Sequence, residues 1–98
     1  MSRLGQPDPR WMKCGATNYL PTSATEITES GMYKICNSTY QMYLHVLEVG
    51  ETVTAATQYN AAVQMNGTYC PDEYIYLQQG QRIISNTTSG TYTRMITV

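Results

Sequence analysis

The sequence predicts an all-β protein, an antiparallel β-sandwich or jelly-roll-like barrel of about eight short strands, preceded by an extended N-terminal arm. Three observations support this fold class. Apolar and polar residues alternate with a period of two, as side chains do on the two faces of a strand. Turn residues separate the alternating segments at intervals of roughly 8–12 residues. No window carries the i, i+3, i+4, i+7 stripe of an amphipathic helix, so we expect little or no helix.

Residues 1–24 are expected to form the arm, and residues 25–98 the sandwich domain. Three prolines in the arm fix the backbone φ and remove backbone donors, which disfavours regular pairing. The arm also holds the neighbouring Trp11 and Met12, whose burial would contribute about 2–3 kcal/mol each. Either the arm folds back over the edge of its own sandwich, or it reaches a neighbouring subunit.

Eight strand candidates lie along the chain and are separated by turns rich in Gly, Asn and Ser, which favour chain reversal. The candidates are residues 25–28, 32–36, 40–47, 51–57, 60–65, 73–77, 81–85 and 91–98. Four alanines make residues 54–65 the one segment that could hold a helical turn or two.

One short motif occurs twice, at residues 47–53 and again at residues 77–83. The aligned pairs are Leu47 with Leu77, Gly50 with Gly80, Glu51 with Gln81, and Val53 with Ile83. Glycine reaches positive φ without steric cost, which suits a tight corner after each leucine. We therefore expect two similar corners in a chain built from two related halves.

Charge is sparse and gives no support for nucleic-acid or membrane binding. Only 13% of the 98 residues are charged, against about 25% in an average soluble domain, and the net charge is −1. The six basic residues form no run that could follow a phosphate backbone. No apolar run approaches the roughly 18 residues that span a bilayer. The N-terminus lacks an apolar signal region, so we expect synthesis in a cytoplasm.

The sequence predicts no enzyme, cofactor or metal site. His45 is the single histidine, and no nucleophile, phosphate-loop or zinc motif accompanies it. The alternation places His45 on a strand face with Tyr43 and Leu47, away from Leu44 and Val46. We therefore expect His45 at a surface or an interface rather than acting as a general base.

The three cysteines are too few and too widely spaced for a disulfide framework. Free thiols are the first expectation. A Cys36–Cys70 disulfide and an intermolecular bond through Cys14 are the alternatives.

Nine tyrosines and no phenylalanine suit half-buried strand faces and also protein interfaces. Tyr43, Tyr74 and Tyr76 could together form an aromatic platform for a sugar or a receptor. The residues expected to contact a partner or a second copy are Trp11, Met12, Tyr43, His45, Tyr74 and Tyr76.

Three features carry a resemblance to a known class of proteins. Strands begin with Gly-x-Tyr after a polar turn residue, the corner motif recurs, and residues 86–90 form a loop of Asn, Thr, Ser and Gly. The chain thereby resembles the small β-sandwich decoration (cement) and accessory proteins of tailed-bacteriophage virions.

This resemblance implies a structural virion protein, made in the host cytoplasm, that binds the major capsid protein or another virion protein. It implies a homo-oligomer, with a trimer favoured, that stabilises the shell. The alternative is a carbohydrate- or receptor-binding module of a fibre or an adhesin.

Overall fold

The computed structural model describes residues 12–36, 41–66 and 72–97. Within these ranges the chain forms eight strands and no helix. The strands are β1 (Met12–Tyr19), β2 (Thr25–Glu26), β3 (Gly31–Cys36), β4 (Gln41–Leu47), β5 (Val63–Asn66), β6 (Glu73–Leu77), β7 (Arg82–Ser85) and β8 (Thr91–Thr97).

The strands form two four-stranded sheets, and every pairing in them is antiparallel. The first sheet has the order β1-β8-β3-β6, and the second has the order β2-β7-β4-β5. Among neighbours within a sheet, only β4 and β5 are consecutive along the chain. The other connections therefore lead from one sheet to the other, and the prediction of an all-β, antiparallel fold is confirmed.

The main core is shared by the two sheets. Ile35 and Leu77 from the first sheet, and Leu44 and Ile83 from the second, are fully buried in one cluster. Each is flanked along its strand by residues that face the other way, as the period-two pattern requires. Burial of these side chains, worth about 1.5–3 kcal/mol each, holds the sheets together.

A second, smaller core lies on the outer face of the second sheet. Leu47 and Ile84 are buried there with Ala56, and Tyr43 and Val53 pack against them. Ala56 and Val53 come from residues 51–62, which we call the covering segment. This segment closes over a sheet face that would otherwise expose apolar side chains to water.

The covering segment corrects the prediction of a strand at residues 51–57, which was wrong. No strand forms there and no helix forms before β5 begins, although one turn of the helical type is closed where the N–H of Ala61 donates to the carbonyl of Thr57 at 3.1 Å. The side chains of Val53 and Ala56 are used against the outer face of the second sheet. A segment with strand-like alternation can thus pack over a sheet face instead of pairing as a neighbouring strand.

Residues 12–20, which were expected to belong to the N-terminal arm, contain a strand that was not predicted. Met12–Tyr19 form β1, whose pairing with β8 runs from Met12 opposite Thr97 to Tyr19 opposite Thr91. The next residue, Leu20, is fully buried in the main core. This stretch therefore covers the edge of its own first sheet, because pairing satisfies backbone groups that an extended arm would leave open. Residues 1–11 lie outside the described residues.

Candidate functional site

The two corners predicted from the repeated motif have the same backbone geometry. Gly50 and Gly80 have φ values of 87° and 93°. The N–H of Glu51 donates to the carbonyl of Glu48 at 3.1 Å, and a bond of the same length closes the turn at residues 78–81. The prediction of two similar corners is thus confirmed.

The residue after each corner glycine also caps its own turn. Glu51 Oε1 accepts the backbone N–H of Glu48 at 3.1 Å. Gln81 Oε1 accepts the backbone N–H of Gln78 at 2.8 Å. Gln81 Nε2 then donates to Glu48 Oε1 at 3.1 Å, so the two corners lie side by side.

His45 connects the first corner to the far end of the covering segment. Its Nε2 lies 2.6 Å from Glu51 Oε2, and its Nδ1 lies 2.8 Å from the carbonyl oxygen of Asn60. The side chain is only 12% exposed. Arg82 donates to the backbone carbonyl of Glu51 from β7. The bond to His45, followed by the Glu48 N–H, lowers the pKa of the Glu51 carboxyl below its ordinary value.

A second candidate site is the outer face of the first sheet, which we call the tyrosine face. Tyr19, Tyr74 and Tyr76 are 75%, 43% and 47% exposed there. The register places Tyr74 beside Lys34, and Lys34 beside Thr93. Four hydrogen-bonded strands hold these side chains in a fixed register.

Contacts across β8 order the middle of the tyrosine face. Lys34 Nζ donates to Cys14 Sγ at 3.5 Å, and the hydroxyls of Thr17 and Thr93 lie 2.8 Å apart. Thr93 is buried between these strands although its side chain faces outward. The bond to Cys14 raises the pKa of the Lys34 ammonium above its ordinary value, and this cation lies near the centre of the face.

The predicted contact residues are divided between the two sheets. Tyr74 and Tyr76 lie together on the tyrosine face, whereas Tyr43 and His45 lie under the covering segment of the second sheet. The structure therefore does not assemble a platform of Tyr43 with Tyr74 and Tyr76. Their contact with a partner stays a prediction.

One of the two N-terminal candidates belongs to a strand of the first sheet. Met12 begins β1 opposite Thr97, and Trp11 lies outside the described residues. Sequence reasoning missed Tyr19, because its segment was assigned to the arm. The signal available in the sequence was the spacing of Thr17 and Tyr19, which are two residues apart, as side chains on one face of a strand are.

Cys14 and Cys36 are free thiols. Burial, followed by a hydrogen bond with Asp72, raises the pKa of the Cys36 thiol, which disfavours the reactive thiolate. Cys70 lies outside the described residues, so pairing of Cys36 with Cys70 on oxidation stays a prediction.

A groove of about 300 Å³ opens beside β1 and β8 and is also lined by residues 26–29. The Tyr33 and Tyr92 rings on its wall have centroids 6.0 Å apart. Arg94 Nη1 lies 3.4 Å from Glu29 Oε2, and the Tyr33 hydroxyl donates to the Glu29 carbonyl at 2.6 Å. A Cβ on Gly15 would come within 2.9 Å of the Arg94 carbonyl, so glycine is needed to line this wall.

Among the described residues, no group of three or more His, Cys, Asp and Glu side chains could hold a metal ion. In the same part of the chain, no helix is long and apolar enough to cross a membrane.

Comparisons of the chain with protein-family models, with curated proteins and with solved structures find no match. A proposal for its function therefore depends on the geometry of the chain itself.

Proposed function

We propose that this protein is a structural virion component, a decoration or cement protein of a phage capsid, and that its fold is a jelly roll. The orders β1-β8-β3-β6 and β2-β7-β4-β5 are those produced by two interleaved Greek keys. Eight strands in two such sheets form the jelly roll that viral capsid proteins and lectins use. Because one fold serves many functions, the proposal depends on the surface that the fold presents.

The observation that carries the proposal is the tyrosine face. Three exposed tyrosines lie on one rigid sheet, and Tyr19 and Tyr76 come from strands at its opposite edges. Tyrosine is enriched at protein interfaces because a large ring is buried at low entropic cost while its hydroxyl keeps a hydrogen bond. Lys34 is one isolated cation near the centre of this face, so charge contributes little. The face binds a partner protein by shape complementarity and hydrogen bonding.

The proposed mechanism is mass action. A protein that binds only the assembled shell stabilises that shell by its binding free energy, repeated at every site. A homo-oligomer, with a trimer favoured, would present several tyrosine faces and so attach to several capsid subunits at once.

Co-sedimentation with capsids assembled from the major capsid protein of the same virus tests the proposal. The wild type should saturate the shells and raise their melting temperature. A Tyr74→Ser, Tyr76→Ser double variant should bind at least tenfold more weakly, since buried aromatic anchors supply most interface energy. Tyr59→Ser is the matched control, because Tyr59 is 89% exposed but belongs to the covering segment. Equal binding by the double variant, or none by the wild type, would contradict the proposal.

The groove favours a second candidate function, a carbohydrate- or receptor-binding module. It combines aromatic rings with an Arg94–Glu29 ion pair, a mixture of apolar and polar groups typical of small-ligand sites. A glycan array should then give a signal that Tyr92→Leu removes and Tyr74→Ser leaves intact. An array without signal for the wild type would eliminate this candidate.

A further inference from the structure

The contacts of His45 limit which protonation state of its ring satisfies both ring nitrogens. A neutral imidazole has one N–H donor and one acceptor nitrogen. Both neighbours of His45 are acceptors, namely the Glu51 carboxylate at 2.6 Å and the Asn60 carbonyl at 2.8 Å. Both contacts are hydrogen bonds only when the ring carries two protons and a positive charge.

The two partners lie near the two ends of the covering segment. Glu51 is its first residue, and Asn60 organises its last turn. The Asn60 side chain accepts the N–H of Thr57 at 2.8 Å and donates to the carbonyl of Ala55 at 3.0 Å. Between these ends, Ala56 is buried on the second sheet. The His45 ring thus contacts both ends of the segment.

The surrounding charges favour a cation at this position. The corner contributes the carboxylates of Glu48 and Glu51, and β7 contributes the Arg82 guanidinium, which is bonded to the Glu51 backbone carbonyl. On β4 itself, the titratable neighbour on the same face is Tyr43. The Glu51 carboxylate therefore faces the His45 ring and is attracted by the Arg82 guanidinium, whereas the Glu48 carboxylate accepts from Gln81 Nε2.

We propose that His45 is a proton-dependent clamp, which holds the covering segment closed when the ring is doubly protonated and loosens it when one proton is lost. Loss of either proton leaves an acceptor nitrogen facing an acceptor oxygen. That pairing is repulsive and leaves a largely buried polar group unsatisfied. The device is independent of the capsid proposal, since it concerns the opposite sheet.

The second corner suggests a variant that should invert the response. Gln81 caps its turn with Oε1 and donates from Nε2, as a glutamine at residue 51 would do. In Glu51→Gln, the new amide would donate to His45 Nε2, which must then be unprotonated. The neutral ring satisfies both neighbours in this variant, because Nδ1–H still donates to Asn60.

Amide hydrogen exchange, corrected for intrinsic rates and measured between about pH 5 and 8, tests the clamp. In the wild type, exchange of the Thr57 and Ala61 amides should speed up about tenfold as the pH rises, the effect of losing one charge-assisted hydrogen bond. In Glu51→Gln, exchange should slow as the pH rises. Glu48→Gln, the matched control, should behave as the wild type does.

NMR of the imidazole nitrogens gives an independent result, because the chain has one histidine. Both nitrogens should be protonated in the wild type near pH 5, and only Nδ1 in Glu51→Gln near pH 8. Exchange that is independent of pH in the wild type, or the same direction of change in Glu51→Gln, would overturn the proposal.

Discussion

The two corners are nearly identical as turns, but the chain leaves them in different ways. In both, a buried leucine precedes the turn, a glycine takes positive φ, and a carboxylate or amide oxygen caps the first N–H. After the second corner the chain becomes β7, which pairs on both sides in the second sheet. After the first corner it becomes the covering segment on the outside of that sheet.

The difference teaches that the turn sets the direction of the chain, while packing decides whether a strand or a cover comes next. Ile83 and Ile84 come after the second corner, and they bury side chains on both faces of the second sheet. Only Val53 is apolar among residues 52–54, so this stretch has one face to bury. A strand in the second sheet, which is covered on both faces near β7, needs apolar residues on both faces, and a covering segment needs them on one.

The largest expected difference between the corners is the cost of removing their leucines. Leu77→Ala should lower the free energy of unfolding by about 3–5 kcal/mol, because its cavity lies in the main core between two sheets. Leu47→Ala should cost about 2–3 kcal/mol, because the covering segment can settle into the smaller cavity. Urea unfolding of both variants measures this, and a greater loss for Leu47→Ala would contradict the roles given to the two cores.

Replacing either corner glycine should lower the free energy of unfolding by the same amount, unlike replacing the two leucines. A Cβ on Gly50 or Gly80 meets no atom within 4 Å, so the cost of alanine comes from positive φ alone. Gly50→Ala and Gly80→Ala should each cost about 1–2 kcal/mol. Thermal or urea unfolding that separates the two variants by more than about 1 kcal/mol would show that the turns are not equivalent.

Acid should weaken the first corner and leave the second unchanged. The pKa of Glu51 is lowered in the folded protein from an ordinary value of 4.5, so its contribution is present above that value. It is lost as the pH falls through the lowered folded pKa. At the equivalent position of the second corner, Gln81 carries an amide, which does not titrate. Exchange at the Glu51 amide should therefore speed up in acid more than exchange at the Gln81 amide, and Glu51→Gln should cancel the difference.

The smallest expected effect concerns a contact that only the second corner makes. The backbone N–H of Gln79 donates to Ser30 Oγ at 2.7 Å, which ties this corner to the end of the loop before β3. Ser30→Ala should cost about 0.5–1 kcal/mol, because water can replace the hydroxyl at this exposed position. A loss above about 2 kcal/mol would mean that Ser30 supports more than this turn.

The sequence was sufficient for features that depend on local chemistry. Glycine position and period-two alternation located both corners and seven of the eight strands to within a few residues. These local signals failed where contacts with a distant part of the chain determine the structure of a segment. β1 was missed because an irregularity between Cys14 and Thr17 interrupts its alternation.

The candidate sites were less predictable than the fold. Tyr74 and Tyr76 could be placed on one face, because they are two residues apart on a strand. The separation of Tyr43 from them could not, because strand order across two sheets is set by long-range pairing. The clamp on His45 likewise depends on Asn60, fifteen residues away, whose carbonyl reaches the ring only after the covering segment has closed.

Hydroxyl-radical footprinting of dilute and assembled protein tests the central claim most directly. The tyrosine face predicts that Tyr19, Tyr74 and Tyr76 lose reactivity when the protein binds a shell. Tyr59, in the segment that covers the opposite sheet and 89% exposed, should stay as reactive as before. Protection of Tyr59 with unchanged reactivity at the three other tyrosines would place the docking surface on the second sheet and contradict the account.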